Sequence, residues 1–564
     1  MNILKRFIPY IIVIILSFFA FQPILNPWTF PIHDDTQITR VFEITNALRD
    51  GMIPVRWSMN LGFGFGYPIF NFYAPLAYYI GGIISIFGIN ALFATKAMML
   101  IGILIAGVTM YVFAKEFFGK IGGILSAILY MYAPYHGVNI FVRGAVAEFY
   151  AYGFIPLLFY GLYLTYKEKR FIYVAITAIS YALIIISHNL TALMVTPFAL
   201  LFALFLIFKD KSNIYRFIIS FILGLSLSSF YFIPALLEMD YTNVLSQVGG
   251  GSDFRDHFVC LSQLWTSQWG YGGSAKGCID GLSFMVGKIH LILSIIVVIS
   301  ISFYLFTKKI FKFSKQDSNH FPIIFIFALF AVSSILLMLE ISKPVWEILK
   351  PMEFFQFPWR FLIITVFSLS FIAGAVTWLI KGLMNKNAGF ALSVLLIVLV
   401  IFLNAKFFTP QHYSFKSLDQ YTSVDNIKWD ISKISSEYMP SNFKKSSDPI
   451  DVANFNNINS ENVELVSYTQ KTNKIDLRVS SDQNSTILIP LAYFPAWQAY
   501  VNRQRTDIKQ DPRGIRVNIN KGENEIILKF AETKVERAAN ILSLAGIFSL
   551  IIGIIYSRKR YGKI

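Results

Sequence analysis

Charge is scarce in this chain. Of 564 residues, 15% are Asp, Glu, Lys or Arg, against 55% that are hydrophobic. So little charge does not cover the surface of a water-soluble protein of this size, and the mean hydropathy of +0.56 agrees. Cysteine is scarcer still, with two residues, which excludes a disulfide-framework fold. Acids are outnumbered, 33 Asp and Glu against 49 Lys and Arg, for a net charge of +16. The basic residues collect in short loops between apolar runs, the positive-inside pattern, which argues against nucleic acid as a partner.

What is present is a succession of apolar runs, near residues 7–25, 91–114, 121–134, 146–166, 171–187, 190–208, 215–237, 287–307, 320–340, 357–380, 388–406 and 537–557. Roughly 20 apolar residues cross a hydrocarbon core. The fold class is therefore a mainly α polytopic membrane protein, with about twelve spanning helices. Residues 72–88 form a further run interrupted by Pro75 and Gly81-Gly82. If this run does not cross, Lys115/Lys120, Lys167/Lys169/Arg170, Lys209/Lys211/Arg216, Lys308/Lys309/Lys312/Lys315, Lys381/Lys386 and Arg558/Lys559/Arg560/Lys563 all fall on the side of Lys5 and Arg6. If it crosses, all of them flip. Charge bias thus makes 72–88 a juxtamembrane or re-entrant helix and puts both termini in the cytoplasm of a plasma-membrane protein. Residues 1–25 read as an uncleaved first helix, since no small-residue cleavage site follows.

This topology divides the chain into a transmembrane domain, 1–406, with external loops 26–90, 135–148, 238–286 and 341–356; an external domain, 407–536; and a final helix with a basic cytoplasmic tail, 537–564. In 407–536 short alternating segments appear: Val463–Tyr468, Lys474–Val479, Thr486–Leu491, Gln498–Val501, Gly514–Ile519 and Glu525–Phe530. Turn residues break them, the pattern of an antiparallel β-sandwich. This domain carries no obvious catalytic cluster and reads as accessory, placed to bind glycan or shield the membrane face. Cys260 and Cys278 share one external loop and are candidates for a disulfide.

The chemistry-bearing residues gather on the external side. The first loop opens His33-Asp34-Asp35 and continues to the run Gly62-Phe63-Gly64-Phe65-Gly66-Tyr67-Pro68. Alternating glycine and aromatic residues offer flat faces suited to sugars or isoprenoid chains. No Lys-Ser/Thr follows, so the run is not a phosphate loop. The second loop brings His136, Arg143 and Glu148; His188 lies between two helices on the same face. The third carries Trp269, Tyr271, Lys288 and His290, and the fourth Gln356 and Arg360. Arg143, Lys288 and Arg360 thus share one membrane depth with Asp34, Asp35 and Glu148. Uncompensated charge there is costly, and the grouping points to a site for a phosphate-bearing lipid. Arg143, Lys288 and Arg360 are the candidate phosphate ligands. His33, His136, His188, Trp269, Tyr271, His290 and Gln356 are candidate substrate contacts.

Several motifs together carry a family resemblance. These are the Asp-Asp opening of the first loop, the glycine-aromatic run before Tyr73-Ala74-Pro75-Leu76, and Arg143-Gly144 with Glu148. Trp269-Gly270-Tyr271-Gly272 with Asp280-Gly281-Leu282-Ser283-Phe284, Phe357-Pro358-Trp359-Arg360 and Tyr493-Phe494-Pro495-Ala496-Trp497 complete the set. Over nearly its whole length the chain resembles the GT-C superfamily of polytopic glycosyltransferases, and more closely the YfhO-like and 6-pyruvoyl-tetrahydropterin-synthase-related membrane proteins. No soluble zinc-histidine site accompanies the pterin name. The resemblance implies transfer of a sugar from a polyprenyl-phosphate donor to an envelope glycan, lipid or protein outside the cytoplasm. It makes Asp34 or Asp35 the acid that serves as base or metal contact, and with Glu148, which could complete their carboxylate cluster, these are the candidate catalytic residues. Metal-dependent relatives add an acidic motif in the second loop; here only Glu148 stands there, without Asp-x-Asp. Asp35 and Glu148 are accordingly the candidate ligands of a divalent cation, Mg2+ or Mn2+.

The chemistry is coherent on its own terms. A carboxylate takes the acceptor proton, and cations neutralise the departing phosphate. Two other classes also place polar residues at the boundary: a lipid-linked glycan flippase or transporter, and a non-catalytic envelope-assembly scaffold. A transporter needs charge deep within its helices, and this chain has little there.

Overall fold

The computed structural model describes residues 2–307, 315–441, 443–458 and 462–561. Lys308, Lys309, Lys312 and Lys563, used above for topology, lie outside the described residues, and of Lys5 only the backbone is described. The membrane part comprises α1 (Asn2–Leu16), α2 (Gln37–Arg49), α3 (Leu76–Ile86), α4 (Ala91–Met131), α5 (Val146–Glu168), α6 (Phe171–Ser187), α7 (Asn189–Lys209), α8 (Ile214–Leu237), α9 (Lys288–Thr307), α10 (Phe321–Met338), α11 (Leu362–Gly374), α12 (Val376–Leu383), α13 (Lys386–Asn404) and α14 (Lys534–Tyr561).

Among the described residues, eight helices are long and apolar enough to cross a membrane: α4, α7, α8, α9, α10, the α11–α12 pair, α13 and α14. A ninth results if α1 and the following turn to Leu25, bent by 43°, act as one span. The other three expected crossings are helical but fall short of that measure. They are the part of α4 beyond Gly119, where φ turns to 70°, the tyrosine-rich α5, and the 17-residue α6. The interrupted run 72–88 yields α3, whose 11 residues reach only about 16 Å and do not span a core about 30 Å thick.

The α11 helix is buried along its whole length. Phe367 and Phe371 of α11 meet Phe113, Phe159 and Phe327 from α4, α5 and α10, with ring centroids 4.5–5.9 Å apart. Between helices, hydroxyls find backbone acceptors: Thr109 Oγ1 donates to Gly153 O at 2.6 Å, and the Tyr130 and Tyr152 hydroxyls each donate to the other's carbonyl. In a medium without water such groups need a partner inside the protein.

The C-terminal strands are β1 (Val463–Lys471), β2 (Lys474–Ser481), β3 (Ser485–Ile489), β4 (Trp497–Val501), β5 (Gln504–Thr506), β6 (Lys509–Asp511), β7 (Gly514–Ile519) and β8 (Gly522–Phe530). They form two antiparallel sheets, ordered β1-β2-β8-β4-β5 and β3-β7-β6. Alternation places Ile475, Leu477 and Val479 inward from one sheet and Ile515, Val517 and Ile519 from the other. The described residues of 407–458 before them are not strands; they form short helical turns and extended segments against loop 26–90.

That loop seats the β-domain, so the glycine-aromatic run is not an open sugar-stacking face. Phe63, Phe65 and Tyr67 are buried. Phe63 O accepts from Ala453 N (2.9 Å) and Phe65 O from Ala492 N (2.6 Å). Gly66 has φ +85°, and a Cβ there would lie 2.4 Å from the Trp57 ring. Trp57 in turn contacts Phe494, Trp497 and Phe530. A second latch holds α14, which begins at Lys534, three residues before the expected boundary. The buried Arg56 donates to Phe230 O (3.1 Å) and Asn540 Oδ1 (2.9 Å), and its Nε lies 3.5 Å from Glu536.

Candidate functional site

The loops 26–90 and 135–148 run beside each other. His33 N donates to Val142 O (3.0 Å), Asp34 N to Arg143 O (3.1 Å) and Gln37 Nε2 to Gly144 O (2.8 Å). Gly144 makes the approach possible: its φ is +63°, and a Cβ would stand 2.4 Å from Ile32. The junction fixes Asp34 at the rim of a cleft of about 310 Å³. The cleft is lined also by Tyr73, Arg143, Glu148, His188, Gln356, Arg360 and Glu437.

Glu148 anchors the cationic end. It lies in the first turn of α5, where the helix dipole favours a carboxylate. Its Oε1 accepts from the Tyr135 hydroxyl and from Asn139 Nδ2 (3.3 Å); its Oε2 accepts from Arg143 (2.9 Å), with Arg360 Nε 3.6 Å away. All three charged side chains are buried. Two guanidiniums share this one carboxylate, and among the described residues the buried Arg360 Nε has no hydrogen-bond partner. Trp359 lies beneath Arg143 (4.7 Å) and Phe357 beneath Arg360 (5.1 Å), which limits how the forks can turn. Such a pair is built to receive an anion.

The adjacent aspartates have different surroundings. The Asp35 carboxylate accepts from Lys416 Nζ and from the Tyr421 hydroxyl, all at 3.1 Å. Burial and this carboxylate push the Tyr421 phenol above its ordinary pKa. No donor among the described residues reaches the Asp34 carboxylate, which faces the cleft and is exposed. Behind it, Arg40 stacks on Tyr73 (4.3 Å) and donates to Tyr78 and Ser435 (both 3.2 Å).

Other sequence candidates are dispersed. His188 lines the cleft; its Nδ1 meets Thr191 Oγ1 (2.7 Å), and burial brings its imidazole down to about 3. His33 instead pairs with Tyr271 O (2.9 Å), and the Tyr271 hydroxyl donates to Thr409 O. His136 and His290 are fully buried against Met131 O (2.9 Å) and Leu129 O (2.7 Å). Lys288 is exposed, stacks on Trp265 and lines a different pocket, shared with Trp269 and Lys406; it does not join Arg143 and Arg360. Cys260 and Cys278 form a disulfide with Cα atoms 5.5 Å apart.

The proposed Asp35–Glu148 metal pair does not fit a divalent cation. Asp35 is engaged by Lys416 and Tyr421, and Glu148 by two arginines. Among the described residues no three His, Cys, Asp or Glu side chains converge as a ligand set.

Sequence reasoning missed Glu437 and Tyr438, which reach the cleft from the segment ahead of the β-sandwich. Ser435 Oγ donates to both Glu437 oxygens (3.0 and 3.1 Å), and Tyr438 N donates to the Tyr67 hydroxyl (3.3 Å). Nothing in the local sequence Ser435-Ser436-Glu437-Tyr438 marks it as part of a site hundreds of residues away.

Comparison with known proteins adds three kinds of likeness. An uncharacterized protein of Lactococcus lactis subsp. cremoris (strain MG1363) is 28% identical over 232 residues, 39% of this chain and 37% of that protein. The match thus spans little more than a third of the relative's length. Among solved structures, the apo Archaeoglobus fulgidus oligosaccharyltransferase aligns with a TM-score of 0.45 and 13% identity over 78% of this chain and 61% of its own. The arabinofuranosyltransferase AftD from Mycobacteria gives 0.43 and 13%, covering 72% and 27%. ArnT from Cupriavidus metallidurans, bound to undecaprenyl phosphate, gives 0.38 and 11%, covering 76% and 77%. Values of this size leave the chemistry to be argued from the residues. The family model for the 6-pyruvoyl-tetrahydropterin synthase related domain, a membrane protein, matches residues 70–411, more than half of the chain, and this protein belongs to that family.

Proposed function

We propose that this protein is a membrane glycosyltransferase that moves a sugar from a polyprenyl-phosphate donor to an acceptor hydroxyl on the extracytoplasmic face. The observation that carries the reading is one cleft holding a carboxylate, Asp34, that no donor among the described residues hydrogen-bonds, together with two buried arginines ordered by Glu148. Arg143 and Arg360 hold the donor phosphate. The acceptor oxygen attacks the anomeric carbon while its proton passes to Asp34. The bond from that carbon to the phosphate oxygen breaks, and polyprenyl phosphate leaves with the electron pair, its charge met by the guanidiniums. The sugar carbon passes through an oxocarbenium-like state of the kind known in glycoside hydrolysis.

An apolar groove of about 400 Å³ supports a lipid-borne donor. It is lined by Leu193, Met194 and Phe198 of α7, Leu337 of α10, and Phe355 and Phe361. The last two neighbour Phe354 and Arg360 of the cleft in sequence. A lipid chain lying there would deliver its phosphate toward Arg360. The plasma-membrane location and cytoplasmic termini belong to the same reading; a disulfide in the loop between α8 and α9 suits an oxidising exterior.

Purified protein in nanodiscs, given radiolabelled polyprenyl-phosphate sugars and an envelope glycan extract, is expected to release free polyprenyl phosphate. No release from any donor of a hexose and pentose panel, by protein that remains folded, would refute the reading.

A further inference from the structure

A second concavity lies apart from the cleft, where the first external loop meets the β-domain. Its volume is about 310 Å³. The floor is apolar, from Phe65, Val452, Leu488 and Pro490, and the rim carries Lys444, Lys445 and Arg513. Asp451 is the one acid in its lining, and that carboxylate accepts from Ser447 Oγ (3.2 Å). No acid among the described residues forms an ion pair with Lys444, Lys445 or Arg513, whereas the neighbouring Arg516 is paired with Asp511 at 2.7 Å.

The rim is built rather than loosely draped. Lys444 N donates to Pro512 O (2.8 Å), which fixes Lys444 beside Arg513. Arg513 N donates to Asp511 Oδ1 (3.0 Å), and Ser446 Oγ to Asp451 O (3.0 Å). Ala453 N is held by Phe63 O, and the Phe65 ring meets Phe443 edge-on at 5.0 Å. Asn454 and Asn457 line the same wall, offering amide donors and acceptors. Three cations against one carboxylate around one concavity give a positive potential. An apolar floor receives the C–H face of a sugar ring, amides meet its hydroxyls, and the cations meet acidic substituents.

We propose that this junction binds an acidic saccharide, a glycan bearing carboxylate or phosphate groups. Occupancy of this pocket would bring an extended acidic acceptor to the β-domain, whose preceding segment also supplies Glu437 to the cleft. Naming the ligand an acceptor rests on the transfer reading; the binding itself does not.

The test uses full-length protein in phosphatidylcholine nanodiscs, which present no anionic headgroup, and titrates four probes by calorimetry. These are tetragalacturonate, mannopentaose phosphate, neutral maltotetraose and hexaglutamate. At least one acidic saccharide is expected to bind at least tenfold more tightly than maltotetraose and than hexaglutamate. The two acidic probes separate carboxylate from phosphate preference. Raising NaCl about tenfold, which shortens the screening length about threefold, is expected to weaken binding. Lys444→Gln with Arg513→Gln should lose at least tenfold in affinity, while Lys521→Gln, an exposed lysine outside the pocket lining, should lose none. Failure of both acidic saccharides to bind would overturn the proposal, as would equal binding of maltotetraose or hexaglutamate, or unchanged binding by the double variant. The Asp34→Asn protein is expected to bind normally, so loss of transfer with retained binding would count against the transfer reading alone.

Discussion

The two neighbouring aspartates give the sharpest prediction, because their surroundings differ and the proposed mechanism gives them different duties. Asp34→Asn removes a charge that no donor among the described residues hydrogen-bonds but that attracts the buried Arg40, Arg143 and Arg360, so folding should change by at most about 1 kcal/mol. As the general base, its loss should cut transfer by about 10²–10⁴-fold, or roughly 2.7–5.4 kcal/mol in the barrier. Asp35→Asn removes a charge held by Lys416 and the Tyr421 hydroxyl. The Lys416 pair is half exposed, 42% and 24%, and contributes at most about 1 kcal/mol after solvent screening. The amide still accepts from Tyr421, so the total cost is about 1–2 kcal/mol, with transfer reduced less than about tenfold. The assays are release of polyprenyl phosphate at saturating donor and thermal unfolding in the same detergent. Near-normal transfer by Asp34→Asn, with loss of transfer by a folded Asp35→Asn, would refute the assignment.

Three further outcomes follow from particular contacts. Glu148→Gln leaves Arg143 and Arg360 buried without their counter-charge, and should destabilise by about 3–5 kcal/mol; thermal unfolding beside an Arg143→Met/Glu148→Gln double variant should show partial recovery. Gly66→Ala forces a Cβ against the Trp57 ring at φ +85°, and should cost at least about 1–3 kcal/mol and raise proteolytic clipping of the β-domain. Burial brings His136 to about 4, below the ordinary histidine value near 6.5. The unfolded chain therefore takes up a proton that the folded one refuses, and stability falls as pH drops below about 6.5, by about 2 kcal/mol from pH 7 to 5. His136→Phe keeps the stack on Tyr152 without the titrating ring, and should flatten that part of the pH dependence of unfolding.

Much of the architecture was legible in the chain because it is written in local patterns. Apolar runs of helical length, the breakers Pro75 and Gly81-Gly82, and two-residue alternation from Val463 to Phe530 each arise within a few residues. Arg143, Glu148, Arg360 and the Asp34-Asp35 pair stood out because charge at a membrane boundary is costly unless matched. The same reasoning grouped Lys288 with them by depth, and depth along the membrane normal says nothing of position around the bundle. It also gave the glycine-aromatic run a ligand face, since sequence does not distinguish an aromatic face offered to a sugar from one covered by another domain.

The sequence by itself determined that this is a helical membrane protein with a C-terminal β-domain, because hydropathy and periodicity are properties of the chain alone. Only the tertiary structure decided which of the two aspartates is held by a lysine and a tyrosine. Lys416 and Tyr421, which hold Asp35, and Glu437, which joins Asp34 at the cleft, arrive from some 380 to 400 residues away. A carboxylate's role depends on which donors reach it, and packing sets that distance where neighbouring residues do not.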